Sequence, residues 1–298
     1  MTMTTPRADV LCEARCQVGE SPLWHPGESA LYWVDIEGRA VHRVDGDGVH
    51  RQWPTAERIG CIAMHARGGL LAAMESGLFH LKPGDGDTLS AGLLLGIAFP
   101  QASTRFNDGR TDRQGRFWVT SMVRGLAATK AQGALFRADA LGLGATGIDG
   151  LATGNGLAFS PDGGLMYLSD SHPSVQKVWA FDLGDDGVPR NRRLFIDFMP
   201  YPGRPDGAAV DADGGYWICG NDAGLVHRFA PDGRLDRSLA VPSPKPSMCA
   251  FGGPRLDRLF VTSITPATPT PGYDPALAGA VFVLEPGCTG LAEAHFAH

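Results

Sequence analysis

Four oxygen-bearing side chains recur at one place in a repeated sequence pattern. Asn107, Asn155 and Asp206 each stand eight positions before the glycine of a tight turn (115−107, 163−155 and 214−206). Glu20 holds the corresponding place in the first copy of the pattern. None of the four side chains is a thiolate or an imidazole, and two are carboxylates. Such a set suits a divalent cation that prefers oxygen ligands, with water completing its coordination.

Each of these residues also has a purely structural interpretation, because Asp and Asn before glycine are common turn formers. Four of them at one repeat position favour a shared site over four unrelated turns. Two crowded carboxylates would repel each other without a cation, and one pKa would rise. A bound ion removes that difficulty.

Six copies of the pattern organise the chain. Each copy is an apolar strand, a tight turn and a second strand that opens on aromatic or aliphatic residues. Six units of about 40 to 50 residues predict an all-β fold, a six-bladed β-propeller with four-stranded antiparallel blades. The turns of the six copies fall at Gly27, Gly68, Gly115, Gly163, Gly214 and Arg255.

A propeller fold explains how distant residues meet. The innermost strand of every blade runs along a central channel, so residues at its entrance converge from blades far apart in sequence. We expect residues 1–298 to form one domain, with residues 1–8 flexible. Residues 10–14 are predicted to supply the outer strand of the last blade, which would hide an exposed sheet edge.

The composition argues against several classes of partner. The chain has 298 residues and a formal net charge of −6, without a stripe of basic residues. Residues 189–193 contain three arginines and are interpreted as a solvated turn. Nucleic acid and acidic membrane surfaces are therefore not expected as partners. The oligomeric state is left open.

Targeting and redox features are sparse. The first ten residues lack the apolar core of a signal peptide, and no apolar run approaches the roughly 20 residues that span a bilayer. The six cysteines contain no C-x-x-C pair, so we interpret them as reduced. Cys61, Cys219 and Cys249 are predicted to be buried in apolar strands. These features predict a soluble, cytoplasmic protein.

Motifs of other enzyme classes are missing or misplaced. Residues 142–147 spell G-x-G-x-x-G, but no helix follows them, so we interpret them as a glycine-rich turn between blades. The chain has no G-x-S-x-G nucleophile elbow and no H-E-x-x-H zinc motif. A covalent serine mechanism is therefore not expected.

Six ordered segments resemble the family of senescence marker protein, gluconolactonase and luciferin-regenerating enzyme. The set covers nearly the whole chain and is more specific than any single piece. The segments are Gly-Glu-Ser-Pro-Leu-Trp at 19–24, Leu-Tyr-Trp-Val-Asp-Ile at 31–36, Arg-Phe-Asn-Asp-Gly at 105–109, Asn-Gly-Leu-Ala-Phe-Ser-Pro-Asp at 155–162, Pro-Asp-Gly at 205–207 and Phe-Gly-Gly at 251–253.

The resemblance implies a six-bladed propeller that hydrolyses a sugar lactone with one divalent metal ion. By motif, Glu20, Asn155 and Asp206 would be ligands of that metal, and Asp206 would also be the general base. Asn107 would lie close to the metal, and Arg105 would bind the substrate. Members of the family differ in the metal they prefer, so calcium, zinc, magnesium, manganese and iron all stay open.

One position departs from the family pattern. Many members have an acidic residue that contacts the sugar where this chain has Arg124. One hypothesis is that Arg124 points inward and favours a substrate with an additional anionic group. The alternative is a solvent-facing side chain on a surface loop.

The sequence therefore predicts a metal-dependent hydrolase that converts an aldonolactone, such as a gluconolactone or a pentonolactone, to the aldonic acid. The metal would polarise the carbonyl, and Asp206 would accept a proton from water. One alternative is a phosphoesterase or fluorophosphatase at the same site. Another is a propeller that binds calcium or a protein without catalysis.

Overall fold

This computed structural model describes residues 8–125 and 131–298. Their strands form six sheets, each of four antiparallel strands. The first strand of each sheet contacts the first strand of the next sheet, and the sixth contacts the first, so the ring is closed. The predicted six-bladed β-propeller is therefore confirmed. The prediction that residues 1–8 are flexible falls mostly on residues 1–7, which lie outside the described residues.

The strands follow chain order from the innermost outward, except in the last blade. Blade 1 contains β2 (Gly19–His25), β3 (Ala30–Asp35), β4 (Ala40–Asp45) and β5 (His50–Pro54). Blade 2 contains β6 (Ile59–Met64), β7 (Leu70–Met74), β8 (Gly77–Pro83) and β9 (Leu89–Gly96). Blade 3 contains β10 (Thr104–Thr111), β11 (Phe117–Val123), β12 (Gly133–Asp139) and β13 (Gly142–Leu151). Blade 4 contains β14 (Gly154–Phe159), β15 (Leu165–Asp170), β16 (Lys177–Leu183) and β17 (Pro189–Asp197). Blade 5 contains β18 (Arg204–Val210), β19 (Tyr216–Asn221), β20 (Leu225–Phe229) and β21 (Leu235–Ala240). Blade 6 contains β22 (Pro246–Gly252), β23 (Arg258–Ser263), β24 (Val281–Leu284) and β1 (Asp9–Cys12).

The N-terminal strand closes the ring, as predicted. Strand β1 pairs antiparallel with β24, with Val10 opposite Phe282 and Cys12 opposite Val281. The strand covers Asp9–Cys12 rather than residues 10–14. The last blade is thus assembled from both ends of the chain, and its outer edge is occupied.

Apolar side chains fill the space between neighbouring blades. The buried residues form six clusters, and each cluster combines residues of two adjacent blades. Trp33 of blade 1 and Phe260 of blade 6 belong to the cluster that lies across the closure of the ring. Cys61, Cys219 and Cys249 are fully buried and free, which confirms the interpretation of these three residues. The core is therefore distributed around the ring, and the channel is left for polar groups.

Two turns predicted from composition are in fact outermost strands. Residues 142–147 lie in β13 and residues 189–193 lie in β17. Positive φ angles at Gly142 and Gly147 accompany register shifts between β12 and β13, so the glycines serve an irregular strand. In β17 the Arg193 side chain pairs with Asp182 at 2.7 Å. Outermost strands tolerate such sequences because one edge faces solvent.

The C-terminal segment covers one end of the channel. It bonds to the turns that follow the innermost strands: Ala212 N–H donates to the Thr289 carbonyl and Ala297 N–H donates to the Gly115 carbonyl. Phe296 is buried within the cluster between blades 2 and 3. This end lies opposite the starts of the innermost strands, so the other end is the open mouth.

Among the described residues, no helix has the length and apolar character that crossing a lipid bilayer requires.

Candidate active site

A break in strand register fixes the level of the site in the channel. All six innermost strands shift register against their neighbours a few residues after they begin. Glu20 and Asn155 are the last paired residues before the shifts in β2 and β14. Asn107 and Asp206 come directly after the last paired residue in β10 and β18. A β-bulge re-aims the side chains around it, so the four predicted residues share one level of the channel mouth.

Glycine is required beside one of these residues. Gly156 follows Asn155 and has a φ of +62°, in the left-handed region. A Cβ atom there would lie 2.6 Å from the Tyr216 hydroxyl and 2.7 Å from Ser169 Oγ. Both the backbone conformation and the lack of space therefore exclude a side chain.

The two asparagines are held together by hydrogen bonds. Asn107 Nδ2 donates to Asn155 Oδ1 at 3.0 Å and to the Gly154 carbonyl at 2.9 Å. Asn155 Nδ2 donates to Ser171 Oγ at 2.8 Å. The bond to Ser171 assigns Nδ2 as the amide donor, so Oδ1 is the acceptor and has a second lone pair beyond its bond to Asn107.

The two carboxylates are close enough to perturb each other. Burial raises the pKa of Glu20 well above its usual range, and the negative charges of Asp206 and Asp108 raise it further. Burial likewise raises the pKa of Asp206 to about 7, while Arg204 and a hydrogen bond from Asn221 oppose the rise. Blades 1 and 5 therefore bring two acids to one place, where like charges disfavour ionisation of both.

Asp108 is a site residue that the sequence analysis did not single out. It is 6% exposed, and its Oδ2 accepts a hydrogen bond from Leu157 N–H at 2.8 Å. Its Oδ1 is buried and has no hydrogen-bond partner among the described residues. Burial raises the pKa of Asp108 to about 6. With Glu20 and Asp206, Asp108 forms what we call the acidic level of the channel, and its unpaired oxygen adds a third negative group there.

Arg105 is held against the same group of residues. One terminal nitrogen of its guanidinium donates to Asn107 Oδ1 at 2.7 Å and to the Phe106 carbonyl at 2.8 Å. Its Nε is buried and lacks a partner in the described part of the chain. Because Arg105 precedes the bulge in β10, it stands nearer the open mouth than Asn107.

Arg124 lies at the mouth beside Arg105. Its N–H donates to the Ser103 carbonyl at 2.9 Å, and its side chain is half-buried. Burial lowers the pKa of Arg105, and the positive charge of Arg124 is one of the nearby charges that lower it further. Within residues 8–125 and 131–298, the Arg124 side chain has no ion pair, and its buried Nε has no hydrogen-bond partner.

A polar network on blade 5 positions Asp206. Asn221 Nδ2 donates to Asp206 Oδ2 at 2.6 Å, which leaves Oδ1 without that bond. The Asn221 Oδ1 in turn accepts from Arg204 at 3.3 Å, and Arg204 Nε donates to Asp222 Oδ2 at 2.7 Å. None of these partners shows a distinctive spacing in the sequence, because Arg204 begins β18, Asn221 ends β19 and Asp222 follows it, all away from the repeat position on β18.

The donor chemistry of this level fits a divalent cation of the harder kind. Glu20, Asn155 and Asp206 offer oxygen atoms, and burial, with the charge of nearby acids, raises the pKa values of Glu20 and Asp206 and so disfavours their ionised forms. A cation would oppose that effect and favour the ionised carboxylates. The residues predicted as ligands are therefore chemically suited to that role.

Comparisons with known proteins find a matching family model and several similar proteins. Residues 18–265 match the SMP-30/Gluconolactonase/LRE-like region. The chain is 35% identical to 6-deoxy-6-sulfogluconolactonase of Pseudomonas putida, over 94% of this chain and 95% of the relative. It is 34% identical to L-arabinolactonase of Azospirillum brasilense, over 98% and 96% of the two chains. The crystal structure of a calcium-binding regucalcin from Agrobacterium tumefaciens superposes with a TM-score of 0.88 at 25% identity, covering 99% of this chain and all of that chain.

Proposed function

This chain belongs to the SMP-30/gluconolactonase/LRE-like family, and on that premise we propose that it hydrolyses a sugar lactone to the open aldonic acid. The observation that carries the proposal is the meeting of Glu20 and Asp206, from blades 1 and 5, at the level of the Asn155 amide oxygen. Two relatives named as sugar lactonases, each covering nearly the whole chain, support the substrate class.

Glu20, Asn155 and Asp206 would hold one divalent cation, and a related structure described as calcium-binding supports a metal at this fold. When bound, the cation supplies polarisation of the lactone carbonyl and a lower pKa for nearby water. The oxygen donor set is compatible with calcium, magnesium, manganese, iron and zinc.

Asp206 is proposed as the general base. Its ionised carboxylate accepts a proton from the attacking water while the water oxygen bonds to the carbonyl carbon. The carbon–oxygen bond of the ring then breaks, and the same proton passes from Asp206 to the leaving ring oxygen. Asn221 holds Oδ2 of the carboxylate, so Oδ1 is the oxygen available for this transfer.

Arg105 and Asn107 are proposed to position the substrate. Their mutual hydrogen bond of 2.7 Å orients the guanidinium, and the buried Nε of Arg105 has no hydrogen-bond partner in the described part of the chain. A fixed donor reduces the entropy lost when a sugar hydroxyl binds.

The direct test is hydrolysis of a panel of pentono- and hexonolactones by chelator-treated protein, with each divalent metal added back. Acid release is followed against blanks without protein, because free lactones open spontaneously. We expect turnover to require metal. Metal binding without turnover of any lactone would identify a non-catalytic binding protein and overturn the proposal.

Two isosteric variants test the residue assignment. Glu20→Gln and Asp206→Asn are expected to lose metal binding and activity together. Asp186→Asn is the control, because Asp186 forms an exposed ion pair with Arg190 in the outer hairpin of blade 4. Full activity of either site variant in the presence of chelator would refute the metal-dependent mechanism.

We further propose that the substrate carries an anionic substituent that Arg124 receives. The half-buried guanidinium has no acidic partner in the described residues, and its neighbour Arg105 is also cationic. Substrate-linked negative charge would satisfy both groups through charge-assisted hydrogen bonds. The relative named 6-deoxy-6-sulfogluconolactonase acts, by its name, on a lactone with a sulfo group, which is consistent with this class of ligand.

The test compares neutral lactones with sulfonated, carboxylated and phosphorylated ones. Loss of a charge-assisted hydrogen bond of about 1.5–3 kcal/mol should lower kcat/KM of Arg124→Ala for an anionic lactone roughly 10- to 150-fold. The neutral lactone should change less than about threefold. Arg255→Ala, with a side chain 81% exposed beyond the opposite end, is the control. Equal losses on both substrate classes would remove the anionic assignment and leave the lactonase proposal standing.

A further inference from the structure

Three metal-ligating side chains meet away from the channel mouth. The Cys16 sulfur, a carboxylate oxygen of Asp35 and a ring nitrogen of His42 all lie within 4.8 Å of one another. The residues are buried, with exposed fractions of 1%, 6% and 3%. In a tetrahedral site with bonds of about 2.0–2.3 Å, neighbouring ligand atoms lie about 3.5 Å apart. Movements of about 1 Å would therefore bring the three atoms to coordination distance.

The histidine presents an unused nitrogen. Nδ1 of His42 is hydrogen-bonded to Nε2 of His50 at 3.0 Å. Trp33 stacks on both rings, with centroid distances of 5.2 Å to His42 and 5.4 Å to His50. Nε2 of His42 is buried and has no hydrogen-bond partner among the described residues. A ring fixed through one nitrogen, with the other nitrogen free, is the arrangement in which a second residue orients a metal-binding histidine.

The protonation state of the histidine suits a ligand. Burial and the neighbouring His50 lower the pKa of His42 to about 4, so the imidazole is neutral at pH 7. Neutral imidazole is the form that binds metal ions. In the tautomer in which Nδ1 donates to Nε2 of His50, Nε2 of His42 carries a lone pair that can bind a metal ion.

The cysteine is fixed between the two ends of the ring. Cys16 N–H donates to the Gly279 carbonyl at 3.0 Å, and Thr265 Oγ1 donates to the Cys16 carbonyl at 2.7 Å. Trp33 Nε1 donates to the sulfur at 3.4 Å. Arg15, directly before it, has a φ of +53°. The backbone of Cys16 is therefore anchored to blade 6 while its thiol faces blade 1.

The Asp35 side chain also has a structural role that the side chains of Cys16 and His42 lack. Asp35 accepts hydrogen bonds from the N–H groups of Gln17, Val18 and Gly38. In blade 4, Asp170 makes the same kind of bonds, so this duty alone explains an aspartate here. It does not explain a thiol and an unpaired imidazole nitrogen beside the carboxylate.

A groove lies beside this buried cluster. Asp35 and His42 line a groove of about 400 Å³ together with Gln52 and Asp87. The groove supplies access for an ion and room for a water molecule as a fourth ligand.

We propose that Cys16, Asp35 and His42 form a second metal site, for a zinc-type ion bound by one sulfur, one nitrogen and one carboxylate oxygen. The ion would tie the segment between β1 and β2 to blade 1. Because β1 completes blade 6, such a link would fasten the closure of the ring. The inference does not depend on the proposed lactonase activity, because no residue is shared with the channel mouth.

Cobalt(II) distinguishes this site from the oxygen-donor site at the mouth. A cobalt–thiolate bond gives an intense sulfur-to-metal charge-transfer absorption in the near ultraviolet, which oxygen ligands do not give. Chelator-treated full-length protein is titrated with Co²⁺, and the band is recorded against equivalents added. We expect the band in the wild type and in Asp206→Asn, and its loss in Cys16→Ser and in His42→Gln.

Cys288→Ser is the matched control, because Cys288 is a half-buried free thiol near an acid, Asp211, at 3.6 Å. It should keep the band. Zinc should raise the melting temperature of Asp206→Asn but not of the Asp206→Asn/Cys16→Ser double variant. A band that survives in Cys16→Ser, or no band in wild type after excess Co²⁺, would overturn the proposal. The melting-temperature comparison uses the zinc-dependent increment, so a general loss of stability in Cys16→Ser does not obscure it.

Discussion

Asp206→Asn should make the metal-free protein more stable at alkaline pH while abolishing activity. The pKa of Asp206 rises from 3.8 to about 7 on folding, chiefly because the carboxylate is buried at 7% exposure. At 1.36 kcal/mol per pKa unit, ionising this group in the folded protein costs about 4 kcal/mol relative to the unfolded chain. A buried charge at this position is therefore a stability cost, which a bound cation would offset.

The sign of the pH dependence follows from the raised pKa. Below about pH 4 the acid is protonated in both states, and its stability contribution is fully present. That contribution is lost progressively between about pH 4 and pH 7, because the unfolded chain releases the proton while the folded protein still holds it; above about pH 7 both states are ionised and the loss is complete. Of the total, about 3 kcal/mol falls between pH 5 and pH 8. Asn at this position has no such loss, so the variant should gain about 3 kcal/mol over wild type across that interval.

Urea unfolding in chelator at pH 5 and pH 8 measures this difference. Added metal should stabilise only the wild type, by about 2.7 kcal/mol at 100 times the dissociation constant. Loss of the general base should reduce kcat by about 10²- to 10⁴-fold.

Asp170→Asn is the control for the substitution itself. Asp170 accepts three backbone N–H bonds at 2.8, 3.0 and 3.0 Å, and an amide cannot accept all of them through one oxygen. This variant should be destabilised at both pH values, without a gain at pH 8. The reasoning fails if Asp206→Asn is no more stable relative to wild type at pH 8 than at pH 5.

Three further predictions concern the same site. Metal affinity should increase between pH 6 and pH 8, because Glu20 and Asp206 both have raised pKa values and must lose protons to bind a cation. Calorimetry in buffers of different ionisation enthalpy would detect the released protons, and a pH-independent affinity would contradict the assignment. Asn221→Leu removes the 2.6 Å hydrogen bond that lowers the pKa of Asp206, so the acidic limb of the plot of kcat/KM against pH should move to higher pH. An unchanged acidic limb would show that Asp206 is not the titrating base. Gly156→Ala should destabilise the protein by about 1–3 kcal/mol, because φ is +62° and the new Cβ would lie 2.6 Å from the Tyr216 hydroxyl. A melting temperature within a degree of wild type would refute this expected destabilisation.

The repeat made the blades predictable from sequence, because strand, turn and strand recur with local signals. Strand β20 (Leu225–Phe229) is an example, since it contains Leu225, Val226 and Phe229 and is flanked by turn residues. The outermost strands were less predictable. Strands β13 and β17 are held by pairing with the next strand inward, and their exposed sides carry glycine or arginine that composition alone assigns to turns.

The grouping of the candidate residues at one level of the channel was predictable only where the repeat marked them. Asn107, Asn155 and Asp206 share one offset, so their convergence follows from the fold. Asp108 sits one residue away from that offset, and only the bulge in β10 brings its carboxylate into the acidic level. Asn221 comes from β19, where no repeated spacing points to the channel. Such partners depend on tertiary register, which a single sequence does not encode in its periodicity.

The order of charges along β10 would allow one channel to bind both the proposed cation and the proposed anionic substrate. Read inward from the mouth, the strand presents Arg105, then Asp108 at the bulge, then Arg110. The Arg110 guanidinium pairs with Glu293 of the C-terminal segment and donates to the Ala208 carbonyl at 2.7 Å.

Because Glu293 neutralises Arg110 at the covered end, the acidic level keeps a net negative charge that favours a cation. Arg105, with Arg124 beside it, stands on the outer side of that level. A lactone with a remote negative group could then place its reacting carbonyl toward the acids and its charge toward the arginines. Reversing the charge at Glu293, by Glu293→Lys, should therefore weaken metal binding at the mouth, although Glu293 is not a proposed metal ligand. An unchanged metal affinity would show that charges at the two ends of the channel do not interact.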